Sequence, residues 1–487
     1  MMKTRQSNVK CKKEGRGNGC PLYKKCGGCQ LQNMSYEEQL SFKQVKCIKA
    51  LGKFGHVEEI IGMENPVHYR NKVQAAFKNV RGKVISGVYQ SASHRVVEVT
   101  ECMLEDRLAD EIIVYIRKLL PSFKLNAFNE DTGRGFLRHV LVRRGFSSGQ
   151  VMVVLVTGTE LFPKKKEFLF ALLKAYPEIT TVVQNVNGSK TSMVLGKKEF
   201  VLYGNGYIED TLCSCRFRIS PRSFYQINPV QTEVLYKTAI KFAELKKGDR
   251  VLDAYCGTGT IGIVAAKSSG AKVVGVELNG DAVSDAIFNA KENNVENAAF
   301  YCADAGKFMV EAAAQNERFD VVFMDPPRAG SDLNFLKSIV KTAPKKVVYV
   351  SCSVETLERD LLFLSKNGYR VKKIQPVDMF PHTSHVETVC LLSKLQSKEH
   401  IEIEVKMDEL DLTAAEKKAT YEEIKAYVLE HTGLKVSHLY IAQVKQKCGI
   451  IERENYNKPK SENAKQPQCP PEKEKAIREA LKHFGMI

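Results

Sequence analysis

From Arg250 onward the chain repeats one pattern: a short apolar run, a turn, then a stretch of helical periodicity. The runs are Arg250–Ala254, Val273–Glu277, Ala299–Cys302, Val321–Asp325 and Val347–Ser351. Each is too short for a helix and too apolar to face water, so each predicts a strand covered on both faces. Strands alternating with helices leave few topologies. They predict βαβ units in a mostly parallel, open sheet of the Rossmann-like α/β class. His385–Leu392 adds a late strand, expected to run antiparallel. Ligands of such sheets bind outside the carboxyl ends of the strands, so the residues that end these runs carry the chemistry.

Two of those ends are distinctive. Asp325-Pro326-Pro327-Arg328 closes one run, and Cys352, 27 positions later in Ser351-Cys352-Ser353, closes the next. The first run, through Asp253, enters Tyr255-Cys256-Gly257-Thr258-Gly259, a strand leading into a glycine turn and a helix. Gly257 and Gly259 let the backbone approach a ligand closely. Glu277 ends the second run, 20 residues past Gly257. An acid there can bond two ribose hydroxyls. Asp304 follows the third run, placed to meet an adenine amine. The spacing Gly257-x-Gly259-x-x-Gly262 also fits a dinucleotide fold, which leaves a nicotinamide oxidoreductase as one reading. Asp253, four residues before the first glycine, makes the turn resemble the Asp-x-x-x-Gly-x-Gly loop of S-adenosylmethionine-dependent methyltransferases. An acid suits a sulfonium and an amino-acid tail better than a pyrophosphate.

The residue types match one demanding reaction. Carbon 5 of uracil is a poor nucleophile until a thiolate adds at carbon 6. A base must then take the C5 proton so that the thiolate can leave. Cys352 fits the nucleophile, and Glu387, in His385-Val386-Glu387-Thr388, fits the base. Asp325 can accept from a ring N–H or position the cofactor, and His385 is read as structural.

Ser223-Phe224-Tyr225-Gln226-Ile227-Asn228, the Asp253–Gly259 loop, Asp325-Pro326-Pro327-Arg328-Ala329-Gly330, Ser351-Cys352-Ser353 and His385-Val386-Glu387-Thr388 together resemble the RNA uracil-5-methyltransferase family. They stand in that family's order, and the resemblance covers about residues 15–395. It implies S-adenosylmethionine held by Gln226, Tyr255, Glu277 and Asp325, with Cys352 as nucleophile and Glu387 as base. By residue type alone, Gln226 fits a polar helix start equally well.

Cys20-x5-Cys26-Gly27-Gly28-Cys29 is a compact ligand triplet. Zinc and an iron–sulfur cluster both accept four thiolates, so the spacing does not choose between them. A triplet with a distant fourth cysteine resembles the family's iron–sulfur branch. That implies a [4Fe-4S] cluster on Cys20, Cys26, Cys29 and Cys102, with 23S ribosomal RNA as the substrate class. Cys11 and Cys47 compete for the fourth place. Transfer RNA is the alternative substrate, and a non-catalytic RNA-binding assembly factor is the alternative from another class.

A net charge of +17 predicts a polyanionic partner. No apolar run reaches 18 residues, which excludes a membrane-spanning helix. Met1–Lys13 lacks the apolar core of a secretory leader, and a cytoplasmic monomer is expected. Four regions are expected. Residues 1–62 form a basic segment with the cysteines and a helix over 36–54, with Leu40, Val45, Ile48 and Leu51 as its apolar face. Residues 63–210 form a mainly antiparallel β, RNA-binding domain with helices near 105–120 and 165–176. Residues 211–396 form the methyltransferase domain, and 397–487 a helical appendage. The appendage carries a helix over 413–431 and another from Ser437, in the form of a helix-turn-helix or of a plain helical pair. RNA contacts are expected from Lys3–Arg16, Lys24-Lys25, Arg134–Val140 and Arg143-Arg144, with Phe136 and Tyr69 stacking beside cations.

Overall fold

The computed structural model describes residues 19–395, apart from 91, 92, 94 and 192, together with 421–448 and 469–486, apart from 485. Lys3–Arg16 and Cys11 lie outside the described residues. The chain divides into two compact units, Met1–Ser397 and Lys398–Ile487. No described helix is long and apolar enough to cross a membrane.

In the first unit a single helical turn, α1 (Tyr23–Cys26), precedes α2 (Tyr36–Leu51). Ser35 caps α2. Its Oγ accepts from the Glu38 N–H at 3.2 Å, while the Glu38 carboxylate accepts from the Ser35 N–H at 2.7 Å. The two bonds satisfy donors that a helix start otherwise leaves open. The helix stands where expected, but its buried face differs. Val45 is 61% and Ile48 49% exposed, whereas Gln39, Lys43, Cys47 and Leu51 are buried. Lys43 sets the rotation. Its ammonium donates to Asp378 at 2.6 Å and to the Phe380 carbonyl at 3.0 Å, with both charged side chains fully buried. A buried charge persists only when paired, so the ion pair overrides the apolar stripe.

The next seven strands are β1 (Lys72–Val80), β2 (Lys83–Tyr89), β3 (Val96–Glu98), β4 (Leu137–Arg144), β5 (Val151–Thr157), β6 (Ile179–Val186) and β7 (Lys198–Tyr203). They form one sheet in the order β3-β2-β1-β4-β5-β6-β7. All neighbours are antiparallel except β5 and β6. A parallel pair needs a crossover, supplied by α4 (Lys165–Ala175). With α3 (Arg107–Ser122) it covers the sheet, packing Ile112, Ile116, Phe168 and Leu172 on Val140, Val142, Val153 and Leu155.

This sheet overturns several expected RNA contacts. Phe136 and Tyr69 are 6% and 5% exposed, and Arg138 and Arg143 are 4% exposed each. Arg138 is held by Glu130 at 2.9 Å and by the carbonyls of Ser189 and Thr191. Arg143 donates to the Ser223 carbonyl at 2.6 Å, and Arg144 to Asp106 at 2.9 Å. These cations hold loops in place. Lys24 and Lys25 are exposed, as a contact role requires.

A hairpin of β8 (Ile208–Leu212) and β9 (Cys215–Ile219) leads to α5 (Pro229–Ala243). The second sheet then follows the predicted alternation: β10 (Arg250–Ala254), α6 (Thr260–Ser269), β11 (Lys272–Glu277), α7 (Gly280–Glu292), β12 (Ala298–Cys302), α8 (Ala305–Ala314), β13 (Val321–Met324), α9 (Leu333–Thr342), β14 (Lys346–Ser351) and α10 (Val354–Lys366). It closes with β15 (Tyr369–Val377) and β16 (Glu387–Lys394). The order is β12-β11-β10-β13-β14-β16-β15. The first five strands are parallel and β16 is antiparallel to both its neighbours. Strand order reverses between β10 and β13, which places a crevice at their carboxyl ends. Strand β15 has no counterpart in the sequence reading.

In the second unit α11 (Tyr421–Thr432), α12 (His438–Lys447) and α13 (Pro471–His483) enclose Ile424, Val428, Ile441, Val444, Ile477 and Leu481. Gly433 at φ +70° turns the chain after α11, and the Ser437 hydroxyl caps α12. The first two helices match the expected pair over the described residues. The third, which completes the core, was not expected.

Candidate active site

The glycine turn is built on strain. Tyr255, Gly257 and Gly259 all have positive φ, of 63°, 56° and 79°. A Cβ on Gly259 would lie 2.9 Å from the Phe300 ring, so glycine is required there for space as well as for backbone conformation. Tyr255 has neither excuse. Its left-handed backbone is held by its ring, which packs on Phe335 at 5.5 Å, and by its hydroxyl, 3.3 Å from the Ser331 Oγ.

Asp253 lies beneath this turn, 1% exposed. One carboxylate oxygen accepts from the Gly262 N–H at 2.8 Å, and burial pushes the group up to about 7. Asp253 therefore braces the turn from below through the Gly262 backbone. Glu277, at the end of β11, accepts from the Gly257 N–H at 3.1 Å and the Asn279 N–H at 2.8 Å. It is partly exposed at the carboxyl edge of the sheet. Asp304 caps α8 by accepting from the Lys307 N–H at 2.9 Å, a role the sequence reading missed, and is exposed on the same edge. Gln226 is half-buried two residues before Asn228, the cap of α5. Leu278, directly after Glu277, and Phe224, two residues before Gln226, are 70% and 65% exposed.

The reacting groups come together through strand register. Ser351 of β14 stands opposite Thr388 of β16 in an antiparallel pair. Cys352 directly follows that Ser351 and Glu387 directly precedes that Thr388, and the Glu387 charge acts on the Cys352 thiol. Asp325 follows β13 on the other side of β14. Glu387 is 4% exposed, whereas Cys352 and Asp325 are half-buried at the crevice.

Electrostatics tie the four groups into one cluster. Burial and the nearby Asp325 push the Glu387 carboxyl up to about 8, and Arg328 pulls it back. Burial, Glu387 and Asp325 push the Cys352 thiol up to about 11, again opposed by Arg328. Burial holds Asp325 near 7. A crowded set of acids with one cation stabilises a further positive charge and resists a further negative one. His385 is partly buried with its ring against Phe380 at 6.3 Å, in keeping with a structural role.

The cysteine segment sits elsewhere on the same unit. Cys29 and Cys102 pack around Met63, Tyr69 and Leu104. Burial, then Cys26 and Cys20, push the Cys29 thiol up to about 11, so the triplet is close together. Four thiols in one neighbourhood suit a thiolate-ligated centre by donor type. Among the described residues no three His, Cys, Asp or Glu side chains already converge as a metal-binding group. Cys47 is fully buried against the catalytic sheet, among residues such as Leu361 and Cys390, which removes it from the competition for the fourth place.

The family described as tRNA (uracil-5-)-methyltransferase matches residues 35–395. The chain belongs to this family. It is an S-adenosylmethionine-dependent RNA methyltransferase of the uracil-5 class. An uncharacterized RNA methyltransferase of Clostridium acetobutylicum is 43% identical over 383 residues, 77% of this chain and 83% of the relative. Another from Halalkalibacterium halodurans is 44% identical over 378 residues, covering 77% and 82%. Among solved structures, the tRNA (uracil-54, C5)-methyltransferase of Pyrococcus abyssi in complex with S-adenosyl-L-homocysteine aligns with a TM-score of 0.63. It is 32% identical and covers 75% of this chain and 85% of that one. Membership in this family displaces the oxidoreductase reading of the glycine turn.

Proposed function

We propose that this enzyme, a cytoplasmic monomer, methylates C5 of specific uridines in 23S ribosomal RNA by covalent catalysis. The observation that carries the reading is Cys352 at the end of β14 and Glu387 at the start of the neighbouring β16, close enough for the carboxylate to act on the thiol, with Asp325 and Arg328 acting on both. The Cys352 thiolate adds to C6, and the C5–C6 π pair moves toward C5. S-adenosylmethionine, when bound, supplies an electrophilic methyl group on a sulfonium. Glu387 then takes the proton from the methylated C5. The C5–C6 double bond re-forms, the S–C6 bond breaks, and the thiolate returns. A carboxyl near 8 is a stronger base than an ordinary glutamate. Arg328 lowers the cost of the thiolate, and a bound cation lowers it further.

Gln226, Tyr255, Glu277, Asp304 and the backbone at Gly257 and Gly259 would hold the cofactor, with Asp253 fixing the turn beneath them. Asp325 would accept from a ring N–H or orient the methyl donor. The target base must leave its stack to reach this crevice. We further propose that Cys20, Cys26, Cys29 and Cys102 ligate a [4Fe-4S] cluster that orders the N-terminal segment. Iron and acid-labile sulfide, each near four per chain after anaerobic purification and lost together in Cys29→Ser, test this assignment.

The P. abyssi relative, whose name specifies transfer RNA, supports transfer RNA as the second substrate reading. Mapping 5-methyluridine in ribosomal and transfer RNA from cells lacking the enzyme separates the two. Loss at 23S uridines, restored by the wild type but not by Cys352→Ala, is the expected result. Loss confined to transfer RNA replaces the substrate and keeps the mechanism. Loss nowhere leaves a non-catalytic RNA-binding factor.

A further inference from the structure

A second cavity, of about 1060 Å³, opens on the β-rich part of the first unit. It lies over β1 and β4, and its lining includes Tyr89, Phe128, Arg138 and His139. None of the residues assigned above to methyl transfer lines it.

Its floor is built for a polar, planar guest. His139 is 3% exposed, and its Nδ1 is buried without a hydrogen-bond partner. A buried polar atom without a protein partner is costly, so a guest that bonds it is favoured. Burial and the Arg138 charge push the imidazole down to about 4. It is therefore neutral near pH 7 and has one donor and one acceptor nitrogen. The Arg138 guanidinium lies 5.7 Å from the Phe128 ring centre. Glu130 and three backbone carbonyls hold it there. Tyr89, 39% exposed, stands edge-on to His139 at 6.3 Å and offers its ring at the mouth. Lys190 is exposed at the rim.

Strand β1 begins beside the segment that carries Gln226. His139 pairs with Ala76 on β1, four residues from Lys72, where the strand begins. Just before it, the Asn71 N–H donates to the Ile227 carbonyl at 2.9 Å, next to Gln226. Four strand residues span about 13 Å, so the cavity lies a short way along β1 from the Gln226 segment.

We propose that this cavity binds the base of a second, unstacked nucleotide of the RNA substrate, with Tyr89 stacking on it and His139 Nδ1 bonding its edge. The proposal rests on the RNA-methylating reading above. Base stacking on an aromatic ring is sequence-tolerant, so affinity would gain more than sequence choice.

The test uses the full chain and fluorescently labelled 23S ribosomal RNA and transfer RNA as separate probes. Tyr89→Ala alters an exposed side chain, and His139→Gln keeps a polar group; thermal melting checks that each variant folds. The expected result is an RNA Kd weakened about tenfold, equivalent to ~1.4 kcal/mol. Turnover at saturating RNA and the S-adenosylmethionine Kd should stay at wild-type values. Folded Tyr89→Ala with unchanged RNA Kd overturns the proposal. So does tight binding of free adenosine or guanosine monophosphate that both variants abolish while RNA affinity stays intact, since the guest is then a free nucleotide. Wild-type protein that binds neither RNA overturns the methylation reading itself, and this proposal with it.

Discussion

Replacing Lys43 by methionine keeps the bulk of the side chain and removes its charge. In the native fold the ammonium is 2.6 Å from Asp378, with neither side chain exposed. The substitution leaves the Asp378 carboxylate buried, with the Tyr36 hydroxyl at 3.0 Å as its remaining side-chain donor, and removes one bond from the Phe380 carbonyl, which keeps the Thr383 hydroxyl at 2.8 Å. Removing one partner of a buried pair costs ~3–5 kcal/mol, against a total stability of roughly 5–15 kcal/mol for a folded domain. The damage should reach catalysis as well. Helix α2 and the residues before it grip the segment leading to Glu387: Gln39 accepts from the His382 N–H at 2.8 Å, and the Leu31 N–H donates to the His382 carbonyl at 3.0 Å. Urea unfolding should show the full loss in Lys43→Met. A double variant, Lys43→Met with Asp378→Leu, should lose less than the sum of the singles. Turnover of folded Lys43→Met should drop by roughly 10²-fold, the order expected from an ångström of misplacement. A loss under ~1 kcal/mol would mean that the pair does not set the rotation of α2.

Glu387→Gln removes the base after methyl transfer, so methylated RNA should stay bonded to Cys352 and turnover should fall by about 10²–10⁴-fold; denaturing gels of labelled RNA read both. Because the Glu387 carboxyl stands near 8 and works deprotonated, turnover should rise with pH through that value. Arg328→Met removes the charge that lowers both Glu387 and Cys352, so it should move that rise to higher pH, as initial rates across pH 6–10 will show. Gly259→Ala forces a Cβ against Phe300 at φ +79° and should cost on the order of 1–3 kcal/mol. Calorimetry should also show weaker S-adenosylmethionine binding.

The α/β sheet was legible because its information is local. Short apolar runs such as Val321–Met324, buried on both faces, declare themselves strand by strand. The reacting residues were legible for a related reason, since Cys352 and Glu387 end or begin such runs. What stayed hidden depends on distant partners. The face of α2 follows Lys43, whose partner lies 335 residues away. Arg138 and Arg143 read as RNA contacts until their burial is seen, because a basic run looks the same whether it meets phosphate or carbonyls. Asp253 kept its place at the cofactor turn but acts through the Gly262 N–H, a bond that only the folded turn creates. Strand β15 was missed because its charged residues, Arg370, Lys372 and Lys373, mask an edge strand.

The covalent role of Cys352 can be tested directly with RNA carrying 5-fluorouridine. Fluorine at C5 cannot be removed as a proton, so the Glu387 step fails and the S–C6 bond persists. Wild-type enzyme with S-adenosylmethionine should give an RNA–protein band that survives denaturing electrophoresis. Peptide mapping should place that band on Cys352, and Cys352→Ala should give none. A band that persists in Cys352→Ala, or none from wild-type enzyme that methylates the unmodified RNA, contradicts covalent catalysis from this cysteine.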